Sequence, residues 1–141
     1  MITIKEIKQQ AHSLNGCAKV DAMTTWEKVV NTLLSPQGRE FAVKHSFPTL
    51  EMFRATKGLD KFDLFVDKGD MVFDGYDCVL VGDCNAEINA VKNQCLHHIV
   101  LFYGAKARIT TGGYAVVNIT RIGNCDVEII NDGTAKVYYN D

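Results

Sequence analysis

At 141 residues the chain is long enough for one domain with a sizeable core, and 47% hydrophobic with 23% charged residues argues against a disordered polypeptide. Its 15 basic and 17 acidic residues, net charge −2, are mixed along the chain. That argues against both the basic face of a nucleic-acid binder and the large acidic excess of a DNA mimic. The longest apolar run, Ile99 to Tyr103, falls far short of the roughly 20 residues that span a bilayer, and Met1 to Glu6 carries charges where an export signal needs apolar residues. The expectation is therefore a cytoplasmic protein with no membrane or nucleic-acid partner, its five cysteines (17, 78, 84, 95 and 125) reduced.

Thr3 and Glu6 form a capping box, after which Ile4, Ile7, Ala11 and Leu14 recur at helical spacing and Asn15-Gly16 supplies a stop. This predicts a helix over residues 4–14. A second box, Thr24-x-x-Glu27, opens a helix in which Trp26, Val29, Val30, Leu33 and Leu34 form a wide apolar stripe. Ser35-Pro36 caps a third helix anchored by Phe41, and Phe47-Pro48 ends it. Thr49 caps a short turn bearing Leu50, Met52 and Phe53. Residues 1–58 thus read as a helical segment. Gly38 inside a helix costs up to ~1 kcal/mol relative to alanine, which points to close packing of that helix on a sheet or to contact with a partner.

From Phe62 the period changes to two. Short alternating runs separated by Gly- and Asp-rich turns predict strands at 62–66, 71–73, 78–81, 86–89, 99–102, 107–110, 115–119, 127–130 and 135–139. Within them an apolar-charged-apolar motif recurs: Ala86-Glu87-Ile88, Ala107-Arg108-Ile109, Val127-Glu128-Ile129, Ala135-Lys136-Val137. The sign of the central residue alternates, as neighbouring strands prefer where side chains face each other across a ladder. Ile88 to Ile109 is 21 residues, Ile109 to Ile129 is 20, and Leu80 to Val100 is 20. A period near 20 with two strands per unit predicts a β-solenoid, similar to a right-handed parallel β-helix, over residues 59–141. Ile129 to Val137 is only 8 residues, which reads as a closing hairpin on Asp132-Gly133. The fold class is therefore α+β, with the helical segment packed on or capping the solenoid. The rival is an antiparallel β-sandwich or roll.

The run Leu34-Ser35-Pro36-Gln37-Gly38-Arg39-Glu40-Phe41, continuing through Phe47 to Arg54, together with Tyr103-Gly104-Ala105-Lys106-Ala107 and Gly113-Tyr114-Ala115-Val116-Val117, resembles a family of small uncharacterised proteins of anaerobic gut bacteria and their phages or mobile elements. The resemblance implies a phage-type or mobile-element origin. It brings no activity, cofactor or catalytic residue.

Cys95-Leu96-His97-His98 with Cys78 and Cys84 is the one cluster of soft-ligand character, but its spacings match no common zinc pattern. A metal-dependent or Cys-His enzyme would use Cys84, Cys95 and His97. The bland reading makes the cysteines small core hydrophobes and sends His97 and His98 to opposite strand faces. Thr110-Thr111-Gly112-Gly113 could cradle a phosphate, though it lacks the lysine and helix of a P-loop. Arg39, Tyr103, Arg108, Tyr114 and Tyr138 are candidate contacts to a protein partner, or to a small anionic ligand in a pocket between subunits. No catalytic residue and no cofactor is assigned. The leading expectation is a non-catalytic binding or assembly protein that forms homo-oligomers or takes a protein partner.

Overall fold

A computed structural model describes residues 25–91 and 95–140, with Gln9. Apart from Gln9, the helix expected over 4–14 lies outside the described residues, as do Thr24 and Cys17. Among the described residues nine strands follow one another: β1 (Leu64–Val66), β2 (Gly69–Phe73), β3 (Asp77–Val81), β4 (Cys84–Ala90), β5 (Leu96–Phe102), β6 (Lys106–Thr111), β7 (Val116–Ile122), β8 (Asp126–Asn131) and β9 (Lys136–Tyr139). The odd-numbered strands form one five-stranded sheet and the even-numbered strands a four-stranded sheet, in chain order. All pairings are parallel. The chain therefore winds as a β-solenoid, each coil an odd strand, a corner and an even strand. The antiparallel sandwich is excluded.

Equivalent positions step by 15 residues from Leu64 to Val79, by 21 from Asp77 to His98, then by 20 from Leu96 to Val116 and from Val116 to Lys136. Two expectations are corrected. Leu80 aligns with Leu101, not Val100. The last segment is not a hairpin: β9 pairs in parallel with β7, and Val137 sits beside Val117.

Each sheet has the sequence its environment demands. The even sheet has one wet face, so β4 alternates buried Cys84, Ala86, Ile88 and Ala90 with exposed Asn85, Glu87 and Asn89. The odd sheet is covered on both faces over β3 and β5, and these strands carry unbroken buried runs, Cys78–Val81 and Ile99–Phe102. Leu80, Ile99, Leu101 and Ile119 point into the coil interior against Ala86, Ile88, Ala107 and Ile109. Leu64, Val79, Val81, Val100, Phe102 and Ile122 point outward, beneath the helices.

Those helices are α1 (Trp26–Leu33), α2 (Pro36–His45) and α3 (Leu50–Arg54), followed by a 3-10 turn at Leu59–Phe62. Side-chain caps start all three. Thr25 accepts from the amide of Lys28 (3.2 Å), Ser35 from Gly38 (3.1 Å) and Thr49 from Met52 (3.3 Å). The cap of α1 is thus Thr25, one residue after the expected Thr24. Val29, Val30, Leu33, Ala42, Met52 and Phe53 bury against the outward row of the odd sheet. The helices cover the solenoid's side rather than an end. Trp26 and Phe41, expected in the interface, are only partly buried at its margin.

The corner leading from odd to even strand repeats one backbone conformation. Asp67, Gly82, Tyr103 and Gly123 all have left-handed φ, 53°, 71°, 54° and 78°. Residues with side chains alternate with glycines, and each side chain lies over the next coil's glycine. A Cβ on Gly82 would meet Asp67 Oδ1 at 2.4 Å, and one on Gly123 would meet the Tyr103 ring at 3.2 Å. Asp67 accepts from Arg54 Nε (2.8 Å) and Nη2 (3.0 Å) and from the amide of Asp83 (2.8 Å). The Arg54 hydrogen bonds, with the Asp83 amide, hold the Asp67 carboxyl below the usual carboxylate range. A depressed folded-state pKa contributes stability above the unfolded value of about 3.9 and loses it as pH falls through the folded value. Wild type should therefore be more stable than Asp67→Asn near neutrality, and acid titration of the melting temperature should close that gap below about pH 4. Asparagine tolerates the left-handed corner, so the comparison removes the charge and one acceptor oxygen without straining the backbone.

On the outward face of the even sheet Glu87, Arg108 and Glu128 are in register on neighbouring strands, as the motif predicts. Arg108 Nε lies 3.7 Å from Glu128 Oε2. Lys136 does not continue this column, because it belongs to the odd sheet beside Val116. Arg108→Glu would set three carboxylates in a row. Each exposed like pair costs up to ~1 kcal/mol, and salt screens it. Denaturant unfolding in low and high salt should show a modest loss that salt recovers, with Lys57→Glu in a loop as the inert control.

Candidate functional site

The five residues singled out from sequence do not converge. Arg39 is buried (8% exposed) and donates to the carbonyl of Leu34, beside the C-terminal end of α1. Burial lowers its pKa, and nearby Asp77 opposes that shift. Tyr103 donates its hydroxyl to the carbonyls of Ser46 (2.6 Å) and Pro48, fastening a solenoid corner to the segment after α2. Burial pushes its pKa up to about 12. Both are structural. Arg108 stands on the wet face of the even sheet, Tyr114 is exposed at the next corner, and Tyr138 is exposed on the outward face of the odd sheet.

The soft-ligand cluster also separates. Cys84 points inward, its thiol 3.4 Å from the carbonyls of Phe65 and Val81, while Cys95 is only partly buried. Among the described residues no three His, Cys, Asp or Glu are placed to hold a metal ion, so the set Cys84, Cys95 and His97 is not assembled. The two histidines do diverge. His97 is fully buried, with Nδ1 3.1 Å from the carbonyl of Tyr76, and His98 is on the outward face. Asp77 accepts from the amide of His98 (2.9 Å) and sits 3.1 Å from its Nδ1. Burial raises the Asp77 pKa, but these bonds outweigh it and leave the carboxyl more acidic than usual. The pair orients an imidazole, yet no hydroxyl or thiol nucleophile is bonded to it among the described residues.

The glycine turn is no phosphate cradle. A Cβ on Gly112 would meet the Asp132 carboxylate at 2.5 Å, and the Gly113 amide hydrogen-bonds it. The protein's own anion fills the position. A 440 Å³ concavity beside β1 carries Arg54, Lys57 and Lys68, but Arg54 pairs with Asp67 and Lys68 with Asp60 (3.5 Å).

What the fold does bring together is the end of the last coil. The odd sheet has one strand more than the even sheet, so β9 stands one level beyond β8. Among the described residues neither strand has a neighbour on its outer edge. Inward-facing residues are progressively uncovered there. Ala107 and Ile109 are buried, whereas Val127 and Ile129 in the same columns are only partly buried, as is Val137 above Val117. Beyond them Tyr138 (49%), Tyr139 (46%) and Ile130 (41%) are exposed. The turn between β8 and β9 is stiff. Asn131 Nδ2 donates to the Ala135 carbonyl (3.0 Å), Asn131 Oδ1 accepts from the Gly133 amide (2.9 Å), and Asp132 accepts from the Thr134 amide (2.9 Å) and hydroxyl (2.6 Å). The Arg121 guanidinium lies 4.6 Å from the centroid of Tyr139. Of this end, sequence reasoning had singled out only Tyr138. Reading residues 131–139 as a hairpin hid the missing neighbour, and Ile129 to Ile130, two adjacent apolar residues in an alternating strand, was the available signal.

Among the described residues no helix is long and apolar enough to cross a membrane. Neither a family model, nor a curated protein, nor a solved structure matches this chain.

Proposed function

We propose that this protein is a non-catalytic assembly module that self-associates by strand addition at its open last coil. The observation that carries this reading is the incompletely covered interior residues Val127, Ile129 and Val137, next to outer edges of β8 and β9 that have no neighbour among the described residues. An unpaired parallel edge offers main-chain donors and acceptors to another chain, and an uncovered apolar row supplies the favourable burial. The scattered tyrosines and arginines, the inward cysteines and the self-filled glycine turn offer no competing centre.

In sedimentation equilibrium the 141-residue chain should show a mass above 15.7 kDa that rises with concentration. Ile130 faces outward at the uncovered edge, so Ile130→Lys should abolish association while leaving the circular dichroism and melting temperature of the dilute protein unchanged. A monomer at every concentration into the hundreds of micromolar would overturn the proposal.

A further inference from the structure

The stepped end has the shape and chemistry to receive a second copy of itself. We infer, on the basis of the assembly reading above, that two chains interlock by their last coils about a two-fold axis parallel to the strands, each β9 filling the shelf over the other's β8. Such an axis exchanges the two sheets. The extra strand of one copy's odd sheet then continues the other copy's even sheet, pairing antiparallel with β8. Five strands against four leave one shelf and one overhang on each copy, and this operation fills both at once.

Levels along the strands decide which residues meet. Residues 123–125 turn the corner between β7 and β8, so Ile122 and Asp126 share a level. Asn118 lies four residues before Ile122 and Ile130 four after Asp126, which places these two at one level. Tyr138 is in register with Asn118 and Tyr139 with Ile119. Across the two-fold, Tyr138 therefore faces Ile130 of the second copy, and Tyr139 faces its Ile129. The same count sets Lys136 toward Asp132, opposite charges. The three large apolar side chains exposed at this end, Tyr138, Tyr139 and Ile130, are thereby covered together. Aromatic and β-branched residues make favourable cross-strand pairs.

Other arrangements fit less well. In head-to-tail stacking β1 of the next copy would sit on β9 and leave the shelf over β8 empty. A two-fold that sets β9 on β9 leaves both shelves empty.

Cysteine pairing tests the geometry. Tyr138→Cys and Ile130→Cys are to be prepared separately, mixed and oxidised mildly, with intact mass read without reductant. The mixture should yield a disulfide-linked pair, while each single variant and wild type, which control for the native thiols, should not. Within one chain positions 138 and 130 lie on outer faces of opposite sheets and cannot bridge. Hydrogen exchange of wild type gives a second readout free of substitutions: amides of β8 and β9 should gain protection with concentration, and those of β1 and β2 should not. Linkage in Tyr138→Cys alone, or concentration-dependent protection of β1 and β2, would overturn this geometry. Association with no link in the mixture would overturn it and leave the assembly reading standing. A monomer would sink both, including one whose β8 edge is protected at all concentrations because residues 1–24 cover it.

Discussion

Phe53→Ala should cost about 3–5 kcal/mol, the range for a large aromatic removed from a packed core. Phe53 is fully buried between the helical layer and the odd sheet. Its ring centroid lies 4.9 Å from that of Phe102 beneath and 6.2 Å from that of Trp26 beside it. α3 has five residues, too few to stand alone, so its place depends chiefly on the burial of this side chain and Met52, with Leu50 packed at the margin and Arg54 tied to Asp67. Loss of the ring should detach α3 and uncover Val79, Val81 and Phe102. The coil interior, lined by a separate set of residues, should persist. Denaturant unfolding should therefore show a lower midpoint, with near-ultraviolet dichroism lost before the sheet signal. A change under 1 kcal/mol would mean that the helical layer is not seated on the sheet as described.

Gly38→Ala should also destabilise, against the usual trend for helices. In an exposed helix the substitution gains about 1 kcal/mol. Here a Cβ would fall 1.7 Å from the carbonyl oxygen of Thr32 and 2.5 Å from its carbonyl carbon, which are backbone atoms that cannot rotate away. α1 and α2 would have to separate, loosening the Ser35 cap and the Arg39 bond to Leu34. A net loss of about 1–3 kcal/mol, typical of overpacking, is expected in thermal or denaturant unfolding. A gain in stability would show that the turn at 34–35 opens freely. The close approach anticipated for this glycine is thus real, but it is made to the preceding helix and not to the sheet.

The even sheet was legible because one of its faces is wet. Alternation indexes every residue there, and Glu87, Arg108 and Glu128 align at the expected steps of 21 and 20. In the odd sheet both faces are buried, so Cys78–Val81 and Ile99–Phe102 carry no alternation to fix the register, and the alignment slipped by one at Leu80. The first coil was obscured by its shorter step of 15 residues. The candidate site was legible only at Tyr138. Uncovered edges depend on how many strands each sheet contains, which no local pattern records. Arg39 and Tyr103 attracted notice as polar groups suited to a ligand, and the fold spends both on main-chain carbonyls.

The uniform parallel ladder also bears on how quickly and in what order the chain folds. Each strand finds its neighbour 15 to 21 residues away, a modest loop to close in a 141-residue chain. A sandwich of the same length would join strands from distant parts of the sequence and fold more slowly. Because a coil contacts only the coils beside it, structure can nucleate in the middle, where β5 meets β7, and grow outward in both directions. Opening should run the other way: in the dilute monomer the terminal coils should exchange their amides first, and the central strands should exchange only on global unfolding.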